Sequence, residues 1–168
     1  MPYSAKGVAN HFLDLADAEG MSIDPLQMQK LVFFAEGWHL ALRGSSLINE
    51  QFEAWKRGPV VPALYHGLKH FGWNCIEGRL KDFDFSNSRF LESPRPTDEE
   101  SLQLLKEVWR TYKRYSGPQL VSLTHEVGSP WDLTWQQADG APDVRIDKDL
   151  ITEWFTQQAK AAKLRNSH

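Results

Sequence analysis

The sequence predicts a mainly α fold, a compact bundle of about six to seven helices with a small β element between residues 50 and 91. Three features lead there. Apolar residues recur at helical spacing over most of the chain, Ser and Asp caps precede these stretches, and no segment sustains the alternation of a long strand. A length of 168 residues suits one domain over positions 1–168, with its core over about 3–155 and a polar tail from Lys160 to His168 that is expected to fray.

Taken in order, Val8, Phe12 and Leu15 share one face of a first helix, capped by Ser4 and stopped by Gly20. Asp24, Pro25 and Gln27 form an acidic capping box that opens a second helix of about five turns. It runs through Lys30, Leu31, Phe34 and Trp38 to Gly44, and because Phe33 is also apolar its apolar stripe is wide enough for the centre of the core. Residues 44–59 read as extended chain around Phe52–Lys56, Pro62 opens a third helix closed by Gly72, and Ile76–Leu80 is expected to pair with Arg89–Leu91 as a hairpin. Thr97–Glu100 reads as a capping box for a helix over about 98–115, Ser116 with Gln119 caps the next, and Ser129-Pro130 starts another. Asp139–Pro142 is a turn, after which Asp147 caps the last helix and Ile146 with Ile151 forms a hydrophobic staple.

Composition narrows the function. There are 19 Lys+Arg against 22 Asp+Glu, a net charge of −3 shared nearly evenly by the two halves, so no basic half attracts nucleic acid. Lys106, Arg110, Lys113 and Arg114 cluster locally, but helix C-terminal turns favour cations and Glu99, Glu100 and Glu107 dilute them. The single Cys75 excludes an internal disulfide and a cysteine metal cage, and suits a reducing cytoplasm. No apolar run approaches the roughly 18 residues needed to cross a bilayer, so no membrane role is expected. Seven tryptophans, at 38, 55, 73, 109, 131, 135 and 154, are the one excess; each indole N–H needs a partner, and tryptophan is enriched at binding hot spots.

Catalytic readings find little support. His66 and His70 are four apart on the third helix, yet two ligands do not complete a metal site and no His-Glu-x-x-His run occurs, which weakens a His-based metal-dependent hydrolase. Ser122 and His125 lack a nucleophile elbow, and no glycine-rich phosphate loop is present. No catalytic residue, metal or cofactor is therefore expected.

Three blocks stand out: Gln29-Lys30-Leu31 followed by Ala35-Glu36-Gly37-Trp38, then Trp55-Lys56-Arg57-Gly58-Pro59-Val60 with Tyr65, then Leu123-Thr124-His125 followed by Pro130-Trp131. In this order and spacing they resemble the Panacea-domain family of SocA-like, phage-associated antitoxins, over about Tyr3 to Phe155; Arg57 stands where the family often has an aromatic. The resemblance implies a non-enzymatic helical module that binds and neutralises a cognate toxin encoded next door, with delivery of a partner to a protease as the nearest alternative. It also implies that Gln29, Lys30, Trp38, Trp55, Arg57, Gly58, Pro59, Tyr65, His125, Pro130 and Trp131 serve partner binding, either as anchors or as the scaffold of the loops.

Overall fold

The computed structural model describes residues 1–166. Among the described residues seven helices build one hydrophobic core: α1 (Ala5–Ala18), α2 (Pro25–Arg43), α3 (Pro62–Leu68), α4 (Glu99–Tyr112), α5 (Gly117–Thr124), α6 (Pro130–Ala138) and α7 (Lys148–Asn166). Five short strands complete the architecture: β1 (Glu53–Trp55), β2 (Gly58–Val60), β3 (Lys81–Asp84), β4 (Arg89–Glu92) and β5 (Val144–Arg145). The mainly α reading with a small β component is correct.

Local capping chemistry sets the helix starts. Asp24 accepts from the Gln27 N–H while the Gln27 amide accepts from the Asp24 N–H, the reciprocal box expected at α2. Ser116 and Gln119 repeat it at α5, and Ser4 and Ser129 cap α1 and α6. At α4 the cap is Asp98, accepting from the Ser101 N–H, one residue later than the Thr97 box implied. The last helix continues past Lys160 to Asn166, where the sequence suggests fraying; positions 167 and 168 lie outside the described residues.

Helix α2 is the axis. From Met28 to Gly37 every residue is buried, and α1, α3, α4, α5, α7 and β2 all pack against it. Its closest neighbour is α7: a Cβ on Gly37 would lie 2.2 Å from the Phe155 ring, so only glycine lets the two helices approach this far. Phe155 also meets Phe33, Phe34 and Trp38 edge to face, with ring centroids 5.1–6.1 Å apart. Tryptophan N–H groups find partners at this periphery: Trp38 Nε1 donates to the Tyr112 hydroxyl and Trp109 Nε1 to Glu19.

The strands depart from expectation in two ways. Strand β1 lies between β2 and β5, antiparallel to both, with Ala54 opposite Pro59 on one side and Val144 on the other. Strand β5 falls outside the 50–91 window. The second hairpin pairs Lys81–Asp84 with Arg89–Glu92, its first strand starting directly after the expected Ile76–Leu80. The shift has a cause in the backbone of that segment. Leu80 is engaged by buried Asn10, whose amide accepts from the Leu80 N–H at 2.8 Å and donates to the carbonyls of Leu80 and Ser93 at 2.9 and 3.1 Å, while the Ile76 N–H donates to Ile23. Ile76–Leu80 is thereby tied to α1 and its following loop, and the hairpin ladder reaches it only at its end, where the Leu80 carbonyl accepts the Ser93 N–H.

Asn10 is thus the latch of the β3–β4 hairpin. Replacing it with alanine leaves the Leu80 N–H and the Ser93 carbonyl unpaired in the interior, while the Leu80 carbonyl keeps the Ser93 N–H, and is expected to cost about 2–3 kcal/mol of stability in urea denaturation, with proteolysis first cutting between residues 76 and 96.

Candidate functional site

The three motif blocks meet at the β1–β2 turn. Strand β2 runs antiparallel to β1, and the tight connection is Lys56-Arg57, followed by Gly58 at φ 104°. That φ alone favours glycine, and space demands it too: a Cβ there would sit 2.8 Å from both Lys30 Cε and Thr124 Oγ1. One motif glycine is therefore fixed by side chains of the other two blocks.

Beneath the turn, α2 supplies two polar side chains to the backbone of β2 and the residue after it. The Gln29 amide donates to the Val61 carbonyl at 3.2 Å and accepts from its N–H at 3.0 Å, the two bonds a neighbouring strand would otherwise provide. Fully buried Lys30 donates from Nζ to the Pro59 carbonyl at 3.0 Å. Proline offers no N–H, so a carbonyl is what this position presents. Among the described residues no carboxylate pairs with Lys30, and burial pushes its ammonium down to about 7.

The third block closes the turn from the other side. His125 stacks on Trp131 with ring centroids 3.6 Å apart and planes 7° from parallel, and Trp131 stacks in turn on Trp135. Trp131 Nε1 donates to the Trp55 carbonyl at 2.7 Å, which ties α6 to β1. Pro130 is buried at the first turn of α6. The imidazole of His125 is held below its ordinary value by burial, reinforced by the Lys30 charge. Among the described residues its buried Nε2 has no partner, consistent with a neutral ring beside a cation.

The solvent side of the turn is aromatic. Trp55 meets Tyr65 edge to face at 4.9 Å, and the Arg57 guanidinium lies 4.3 Å over the ring of Trp73. These side chains, with Val60, Leu68 and the start of α2, enclose a groove of about 420 Å³. Tyr65 and Trp73 are exposed, Trp55 is half-buried, and Trp131 is buried at 7%. Ten of the eleven residues singled out in the sequence thus gather at one turn. Trp38 does not: it sits further along α2 against Phe155 and Tyr112. Sequence reasoning missed Trp73 and Lys69 as groove residues, although a large aromatic directly after the helix-ending Gly72 was a usable signal.

The histidine pair takes a different form from that expected. The α-helix ends at Leu68, His70 falls in the 3₁₀ turn Lys69–Phe71, and its ring packs on Phe71. Among the described residues no group of three or more His, Cys, Asp or Glu side chains is arranged to hold a metal ion.

Two outcomes follow. The unfolded chain binds a proton on Lys30 up to its ordinary value of 10.5, whereas the folded chain releases it near 7. Stability is therefore expected to rise as pH increases from 7 toward 10, with Lys30 contributing a slope approaching about 1.4 kcal/mol per pH unit. Unfolding free energies at pH 7 and 9.5 check this, and Lys30→Met should remove that part of the rise. Gly58→Ala should lower stability by about 1–3 kcal/mol, from the strained φ and the collision with Lys30 and Thr124.

The family described as Antitoxin SocA-like, Panacea domain matches residues 28–132, a stretch that contains all three motif blocks. A curated relative, Antitoxin SocA of Caulobacter vibrioides (strain NA1000 / CB15N), is 39% identical over 130 residues, covering 77% of this chain and 69% of the relative. No solved structure matches. With the family match spanning more than half of the sequence, and its motif residues assembled around one turn, the chain belongs to the SocA-like antitoxin, Panacea-domain family.

Proposed function

We propose that this protein is a cytoplasmic antitoxin that neutralises a toxin encoded beside it by forming a direct protein–protein complex, as a binding module and not as an enzyme. Family membership, with a relative named an antitoxin, supports the role. The observation that carries the binding mode is the convergence of the motif blocks on a turn whose outward face is aromatic and cationic. The buried polar groups there act on backbone: Gln29 on Val61, Lys30 on Pro59 and Trp131 on Trp55. A nucleophile with an adjacent base is not among them. Among the described residues no helix is long and apolar enough to cross a membrane, which agrees with a cytoplasmic site of action.

In this reading the eleven residues divide by exposure. Trp55, Arg57 and Tyr65 contact the toxin. Gln29, Lys30, Gly58, Pro59, His125, Pro130 and Trp131 hold the turn that presents them, and Trp38 holds the core.

The test measures folding and binding together, using the product of the neighbouring reading frame. Tyr65→Ala is expected to keep the unfolding midpoint and weaken the complex about thirtyfold, as loss of roughly 2 kcal/mol at a hot spot requires. Trp131→Ala is expected to lose about 3–5 kcal/mol of folding stability through the cavity it leaves. A neighbouring product that is harmless to cells, or that does not bind the purified protein at micromolar concentration, overturns the proposal.

A further inference from the structure

The groove beside the β1–β2 turn has a distinct electrostatic character. Its walls are apolar and aromatic, from Trp55, Tyr65 and Trp73, whereas its rim carries three exposed cations, Lys56, Arg57 and Lys69. None of the three has an ion-pair partner among the described residues. The one acid lining the groove, Asp24, has its carboxylate turned to the Gln27 N–H as the cap of α2. On a chain of net charge −3, three unpaired cations around one apolar groove make a local site of opposite sign.

The floor points to the kind of occupant. Gln29 and Lys30 line the groove, but they are only 5% and 0% exposed and turn to the carbonyls of Val61 and Pro59 and the Val61 N–H, so they present no open donor to an occupant. A small anion would find no converging donors inside. An apolar centre with charge confined to its edge is instead the anatomy of a protein interface. The space, about 420 Å³, accommodates large side chains, and the Arg57–Trp73 stack with the Trp55–Tyr65 pair offers rigid faces to pack on.

We infer that this groove receives an acidic segment of the toxin, one that inserts a large apolar side chain between Trp55, Tyr65 and Trp73 and pairs flanking Asp or Glu residues with Lys56, Arg57 and Lys69. The inference rests on the antitoxin reading and adds the chemistry of the partner to it. It also locates recognition on the solvent side of the turn, with the His125–Trp131 stack acting from behind.

The experiment is a binding titration of the full-length protein with the toxin, using wild type and the Lys56→Glu, Arg57→Glu, Lys69→Glu triple variant. These side chains are exposed and donate no hydrogen bond among the described residues, so the unfolding midpoint serves as the folding control. Wild-type affinity is expected to fall steeply as sodium chloride rises from about 0.05 to about 0.5 M. The triple variant should bind at least about a hundredfold more weakly at low salt, with a flatter salt dependence. Trp73→Ala should weaken binding at every salt concentration. If the toxin binds wild type and the folded triple variant within about twofold, the groove inference falls while the antitoxin reading stands. If wild type binds no toxin, both fall. A concentration-dependent dimer of the free protein that Trp73→Ala abolishes would assign the groove to a second copy and overturn the inference.

Discussion

Everything at the functional end of the molecule depends on a helix that is buried from Met28 to Gly37 yet carries Gln29, Lys30 and Glu36 within that stretch. Polar groups removed from water are costly unless they are paired. Here each is paired with chain that is not helical: Gln29 with Val61, Lys30 with Pro59, and Glu36 with the Leu47 N–H at 2.7 Å, backed by Lys148. Burial raises the Glu36 carboxyl as it lowers the Lys30 ammonium. The central helix therefore does more than fill the core. It is the template on which two irregular segments are laid, and the shape of the β1–β2 turn follows from where its polar side chains emerge.

That arrangement explains why the motif residues differ so much in exposure. A turn of two strands, each three residues long, has too few ladder hydrogen bonds to hold a fixed shape alone. It gains rigidity from α2 beneath, from Trp131 bonding the Trp55 carbonyl, and from β5 on the far edge of β1. A surface preorganised in this way loses less conformational freedom when a partner binds. Residues that never touch a partner can then matter as much to recognition as those that do.

The parts of the fold legible in the sequence are those written within a few residues. Capping boxes at Asp24 and Ser116, and the serine caps at positions 4 and 129, act between a side chain and a backbone N–H three residues away. The pairing of β1 with β5 joins residues about ninety positions apart in sequence through two strands too short for a periodic signal. The β3–β4 ribbon was misplaced because its placement depends on Asn10, a single polar residue in the middle of α1. The candidate site was legible as motifs, but not as geometry. Lys30 reads as one more position on an amphipathic helix, and nothing near it in sequence reveals that Pro59 is its acceptor. Trp73 reads as a loop residue until the fold brings it beside Arg57.

The contact between Gly37 and Phe155 bears on what counts as a folding unit in this family. The region matched by the family spans 28–132, so Gly37 lies inside it while Phe155 and the whole of α7 lie beyond its end, as does α1 before its start. Without α7, the notch at Gly37 and the rings of Phe33 and Phe34 would face water instead of Phe155. Recognisable sequence and cooperative structure thus have different boundaries here. A chain cut to the matched stretch would keep the motif turn yet lose the ring that fills this notch, the buried Ile151, and the Lys148 ammonium that backs the buried Glu36 carboxylate.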